Sequence, residues 1–217
     1  MNDAQKQNNK VTLMGTVEKG LVFSHELYGE AFYDFYLSVP RLSGNNDVLP
    51  VTVSERLIDE VDLSPGSRIG ISGQFRSYNK MQGEKSKLML TVFVREFIEY
   101  DDRECVPNYV EICGYVCKPT VYRTTPFDRK ICDILLAVNR GYNKSDYIPC
   151  IAWGRNAMYV KNVSVGENLL IVGRIQSRKY LKTLDNGQTE ERIAYELSAN
   201  KIYSGESVRE TAAGLSV

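Results

Sequence analysis

Val11-Thr-Leu-Met-Gly15-Thr-Val17 and Val110-Glu-Ile-Cys-Gly114-Tyr-Val116 share one pattern at an offset of 99 residues. Apolar residues alternate with polar or variable ones, the period of a half-buried strand, and a glycine interrupts each copy. The same offset carries Val39-Pro-Arg41 onto Val138-Asn-Arg140, and Leu49-Pro50-Val51 onto Ile148-Pro149-Cys150. After one inserted residue, Gly66 falls on Gly166 and Ile71-Ser-Gly73-Gln-Phe-Arg-Ser77 on Ile171-Val-Gly173-Arg-Ile-Gln-Ser177. A register kept through both halves marks a duplicated domain. The charged stretch Asp101-Asp-Arg-Glu104 sits at the join, which gives domains over 9–100 and 108–203 and flexible tails over 1–8 and 204–217.

Each half reads as strands with one short helical segment. Ile148, Cys150 and Ala152 alternate with Tyr147, Pro149, Ile151 and Trp153. Leu169, Ile171, Gly173 and Ile175 alternate with Arg174, Gln176, Arg178 and Tyr180, and Ile193 to Ala199 supplies a last strand. Helical segments are expected over 55–62 and 155–163, between the third and fourth strands and ahead of Gly66 and Gly166. Five strands with a helix between the third and fourth is the order of an OB barrel. The expected class is therefore all-β, with two five-stranded OB-fold barrels in tandem. An immunoglobulin-like sandwich leaves the helical segments unexplained. Gly15, Gly73, Gly114 and Gly173 fall where a small barrel bends its strands sharply.

Composition narrows the function classes. The chain has 217 residues, 43% hydrophobic and 25% charged, which suits a soluble globular protein. It has no apolar run of membrane-spanning length, and Met1 to Lys10 lacks the apolar core of a signal peptide. Five cysteines, an odd number, suggest free thiols in a reducing cytoplasm. Cys113 and Cys117 form a C-x3-C without a second pair at ligand spacing. His25, the single histidine, lies in the other half, in a stretch read as a solvated loop. No metal or other cofactor is expected; the cysteines read as small buried hydrophobes. No phosphate-binding glycine loop precedes a Lys-Ser/Thr, and the second half has no histidine to serve a nucleophile. An enzyme is not expected. Asp185-Asn-Gly187 reads as a hairpin turn.

Net charge is zero, yet its distribution is uneven. Residues 9–100 hold 10 basic and 12 acidic side chains, and residues 108–203 hold 14 and 9. The second half is the candidate anion-binding half. Strand alternation turns Tyr147 and Trp153 outward, and Arg174, Arg178 and Tyr180 line the face opposite the core. Arg140, Tyr142 and Lys144 lie between the second and third strands, and Tyr122, Arg123, Phe127 and Arg129 in the first loop. Rings that stack on bases and cations that track phosphates are what an OB fold uses to hold a single strand. The first half keeps Arg76, Tyr78 and Lys80 but has Val48 and Ser54 in place of the third-strand rings. It is expected to bind more weakly or to serve oligomerisation. Phe23, Phe32, Tyr33, Phe35 and Tyr36 crowd its first loop and second strand at both parities, so some belong to the core.

Ala137-Val-Asn-Arg140, the run from Asp146 to Ala157 containing Trp153-Gly-Arg155, and Val165 to Tyr180 together resemble the bacterial single-stranded DNA-binding protein family. The resemblance implies stacking roles for Tyr147, Trp153 and Tyr180, with Arg174 and Arg178 assisting. It also implies a homodimer of two-barrel chains, four OB folds in all, with replication, recombination or repair proteins as partners. Family members usually end in an acidic, phenylalanine-terminated tip. Here the sequence ends Gly214-Leu-Ser-Val217, with Glu206 and Glu210 as the nearby acids. A protein-interaction module of the primosome-accessory kind and an RNA-binding OB protein remain open alternatives.

Overall fold

The computed structural model describes residues 8–83, 85–101, 106–183 and 187–204. The first barrel comprises β1 (Asn9–Leu27), β2 (Glu30–Pro40), β3 (Asn46–Ser54), a 3-10 turn (Glu55–Glu60), β4 (Arg68–Gln82) and β5 (Lys85–Ile98). The second comprises β6 (Asn108–Val116), β7 (Val121–Thr124), β8 (Lys130–Arg140), β9 (Lys144–Trp153), α1 (Arg155–Val160), β10 (Asn168–Thr183) and β11 (Thr189–Ser204). The first closes in the order β1-β2-β3-β5-β4 and back to β1, and the second as β6-β8-β9-β11-β10 and back to β6. Only β3–β5 and β9–β11 pair in parallel among these closures. These are two OB folds in tandem.

Three local expectations are corrected. The helical segments are shorter than expected: a 3-10 turn ends at Glu60, and α1 ends at Val160. Val121–Thr124, expected in a loop, forms a short strand on β8, because Tyr122 and Arg123 find backbone partners opposite Cys132 and Ile131. His25 is in β1, not a loop: β1 continues past the barrel wall as a hairpin with β2, turning at Tyr28 and Gly29, both at positive φ. Cys132 and Cys150 are buried, whereas Cys113 and Cys117 are half-buried; Cys105 lies outside the described residues, as do Asp185, Asn186 and nearly all of both tails.

Inward residues such as Leu13, Phe35, Leu49, Ile71 and Phe75, and Ile112, Leu136, Ile148, Ile171 and Leu197, form one apolar cluster extending through both barrels. The barrels curve where neighbouring backbones come too close for a side chain. A Cβ on Gly114 would lie 2.8 Å from the Ala137 carbonyl oxygen, and one on Gly173 would overlap that of Ser198. Gly173 also sits at a register shift in the β10–β11 ladder. Gly173→Ala should therefore force backbone apart and cost about 3 kcal/mol, at the upper end of overpacking. Denaturant unfolding checks this. Gly141→Ala, with open space around its Cβ, should stay within about 0.5 kcal/mol.

The two barrels are joined as an internal pseudo-dimer. β1 and β6 pair antiparallel with Val11 opposite Val110, the two residues that the repeat equates. A pseudo-dyad therefore passes between them. Around it, Asp47 at the start of β3 accepts from the backbone N–H (2.6 Å) and hydroxyl (3.0 Å) of Ser177 in β10. Asp146 in β9 reciprocally accepts from the Ser77 N–H in β4 at 2.9 Å. Both carboxylates are buried.

Candidate nucleic-acid interface

The third and fourth strands of the second barrel carry most of the expected site. Inside β9, Ile148, Cys150 and Ala152 are buried, which leaves Tyr147 at 45% and Trp153 at 37% exposure on the outer surface. Cross-strand register fixes the rest of that surface. Ile151 pairs with Ser198 in β11, and Ser198 with Arg174 in β10. Alternate residues of each strand share this face. Tyr147 and Arg178 thus lie towards one end, with Tyr180 beyond, and Trp153 lies at the other. Tyr147 and Trp153 are six residues apart, about 20 Å of strand.

Arg178 stands with its guanidinium 5.8 Å from the Tyr180 ring centre and 3.6 Å from a Glu196 oxygen. It is half-exposed, so the pair with Glu196 leaves donors for a ligand. Tyr180 is half-buried and faces Arg192 across the β10–β11 ladder. Tyr142 sits almost fully exposed at the β8–β9 turn, at positive φ, and Lys144 is exposed beside it.

Two other arginines expected on this face are engaged elsewhere. Arg174 contacts Asp47 of the first barrel at 3.0 Å and donates to Gln176 at 3.2 Å. Burial lowers its pKa and Asp47 opposes the shift. Arg140 lies 3.5 Å from Asp146. Strand alternation does turn Arg174 outward, but the outer surface at that point meets the other barrel. Arg174 and Arg140 thus form part of the junction.

In the first barrel, Arg76, Tyr78 and Lys80 follow one another on the outer side of β4. Tyr78 and Lys80 are exposed, while Arg76 packs over the ring of Phe93 at 4.6 Å. Phe93 and Arg95 complete this surface, with Phe32 buried against Phe93, and none of the three is among the expected site residues. Phe32 and Phe93 are 5.8 Å apart, and the His25 ring stacks on Phe32 at 5.0 Å. The alternation of Thr91, Phe93 and Arg95 with buried Val92 and Val94 was the signal that could have found them.

The single-strand binding protein family profile matches residues 107–204. The match covers the second barrel, just under half of the chain. Single-stranded DNA-binding protein 1 of Staphylococcus aureus (strain COL) is 38% identical over 80 residues, 34% of this chain and 48% of that protein. The chain spans about half the length of the curated relatives it matches. The crystal structure of the single-stranded DNA binding protein from Thermus aquaticus superposes with a TM-score of 0.70 at 19% identity, covering 91% of this chain and 92% of that one. That likeness is one of fold, and it spans both barrels. The N-terminal domain of PriB protein from Thermoanaerobacter tencongensis is 52% identical over 42% of this chain and 96% of its own, at a TM-score of 0.38. Tyr147, Trp153, Arg174, Arg178 and Tyr180 all fall inside the matched range.

Proposed function

We propose that the protein binds and protects single-stranded DNA in replication, recombination or repair, and that it catalyses no reaction. The observation that carries this reading is the shared outer face of β9 and β10, where Tyr147, Trp153 and Tyr180 stay accessible beside Arg178 in the barrel matched by the single-strand binding family profile. Flat rings accept any base by stacking, and the guanidinium meets the phosphate backbone. Tyr142 and Lys144 at one edge would guide the strand onto this face. The electrostatics also fit, since the second barrel carries a basic excess on a chain whose net charge is zero and whose remainder is acidic.

No helix among the described residues is long and apolar enough to cross a membrane. The cytoplasm is the proposed location. The homodimer implied by the family resemblance would assemble four barrels, and mass in solution with and without an oligonucleotide tests it.

Titration with oligo-dT tests the central reading. Trp153 is the single tryptophan, so fluorescence reports from the site itself. Binding should quench Trp153, and the logarithm of the affinity should fall with that of salt concentration at about 0.7 per phosphate neutralised. Absence of quenching and of affinity at low salt would reject it.

A further inference from the structure

We propose that Glu196 and Gln176 are positioning residues that hold the Arg178 guanidinium where it meets a phosphate of the bound strand. This rests on the reading of the β9–β10 face given above and adds to it how the cation is kept in place.

Glu196 is an unexpected side chain on a face that receives a polyanion. Its neighbour Leu197 is buried in the core, so strand alternation turns Glu196 to the outer face, with Arg174, Gln176 and Arg178. It is nevertheless buried, at 8% exposure. A buried carboxylate forfeits its hydration unless partners replace the water, and its charge opposes an approaching phosphate. The barrel does not require an acid there. In the first barrel Thr91 lies opposite Arg76 as Glu196 lies opposite Gln176, and its hydroxyl is satisfied by that of Thr52 at 2.8 Å.

The partners of Glu196 supply the reason. Gln176 Nε2 donates to Glu196 Oε1 at 2.7 Å, and Arg178 Nε lies 3.6 Å from the same oxygen. The Gln176 amide presents its nitrogen there because its oxygen accepts from Arg174 Nη2 at 3.2 Å. Arg174 in turn is tied to Asp47 of the first barrel at 3.0 Å. A line of donors and acceptors thus runs from the junction to Glu196 and orients the carboxylate at its end.

Arg178 needs such a hold. Across the ladder it faces Ala194, whose methyl group offers a long side chain little to pack on. The ion pair with Glu196 and the Tyr180 ring, 5.8 Å from the guanidinium, restrict it from two directions. Glu196 engages Nε, which leaves the two Nη groups for a phosphate. A cation ordered before the strand arrives costs the complex less entropy.

Charge alone and positioning predict opposite signs for Glu196→Gln. Removing an acid from this face tightens the binding of a polyanion if the carboxylate has no other role. Releasing Arg178 weakens it. The test titrates the chain and its variants into labelled oligo-dT of about 40 nucleotides, followed by anisotropy over a range of salt. Arg178→Gln should bind about eightfold more weakly near 0.05 M salt, with a salt slope shallower by about 0.7, the loss of one phosphate contact. Glu196→Gln should bind about threefold more weakly, half of that effect on a logarithmic scale. Gln176→Met keeps the length of the side chain without its donor and should weaken binding in the same direction. With Arg178→Gln already present, Glu196→Gln should weaken binding no further. Unchanged or tighter binding in either Glu196→Gln or Gln176→Met overturns the inference. So does an equal loss from Glu196→Gln with and without Arg178, which marks a general structural fault. Failure of the unaltered chain to bind oligo-dT overturns the reading of the face itself, and this inference with it.

Discussion

Alanine at Tyr147, Trp153 and Tyr180 together should weaken binding of oligo-dT by several kcal/mol and leave the protein folded. Each ring stacked on a base contributes about 1–3 kcal/mol. The total should fall below a simple sum, because rings that share one strand are coupled. The fold should survive because the three side chains lie on the outer surface, whereas their strand neighbours Ile148, Cys150, Ala152 and Ile175 form the core. The one structural cost arises at Trp153, which pairs across the sheet with the buried Ile131. Anisotropy of a labelled oligonucleotide must replace tryptophan fluorescence as the readout, and a thermal melt by circular dichroism verifies folding. Undiminished affinity in the triple variant would remove the stacking roles.

Asp47→Ala should be the most damaging single substitution at the junction, with an expected cost of about 3–5 kcal/mol. Its carboxylate is buried and serves five donors. These are the backbone N–H and hydroxyl of Ser177, Arg41 Nε at 2.7 Å, Arg41 Nη2, and Arg174 Nη1 at 3.0 Å. Removing it leaves two half-buried guanidinium groups near each other and an N–H without its acceptor. Asp146→Ala should cost less, since it frees one N–H and an Arg140 already 3.5 Å away. Urea unfolding measures both. A loss below about 1 kcal/mol for Asp47→Ala would show that water satisfies the group and that the junction is weaker than its hydrogen bonds imply.

The sequence made the architecture readable because the repeat supplied two independent copies of each strand. Val11 and Val110, Gly73 and Gly173, and Ile71 and Ile171 each confirm the other's parity. Tyr147, Trp153 and Tyr180 were legible for the same reason: one strand's alternation decides which side chains leave the core. Arg174 and Arg140 were harder, because alternation shows that a residue points away from its own barrel but not what waits there. Asp47 lies 127 residues from Arg174, and no local pattern links them. His25 was missed for another reason. Register shifts between Val17 and Lys19, Lys19 and Val22, and Phe23 and His25 break the period that would mark a strand. Arg95 stands at a similar shift, between Ser72 and Gly73 on the partner strand, which breaks the period there too.

Pairing β1 with β6 inside one chain has an effect on behaviour at high dilution. Separate subunits joined along such an edge would drift apart as their concentration fell. Here a momentary opening is followed by reclosure at a local concentration in the millimolar range, set by the tether. The two surfaces consequently stay side by side however scarce the protein becomes, and an alteration in one barrel is felt once per chain.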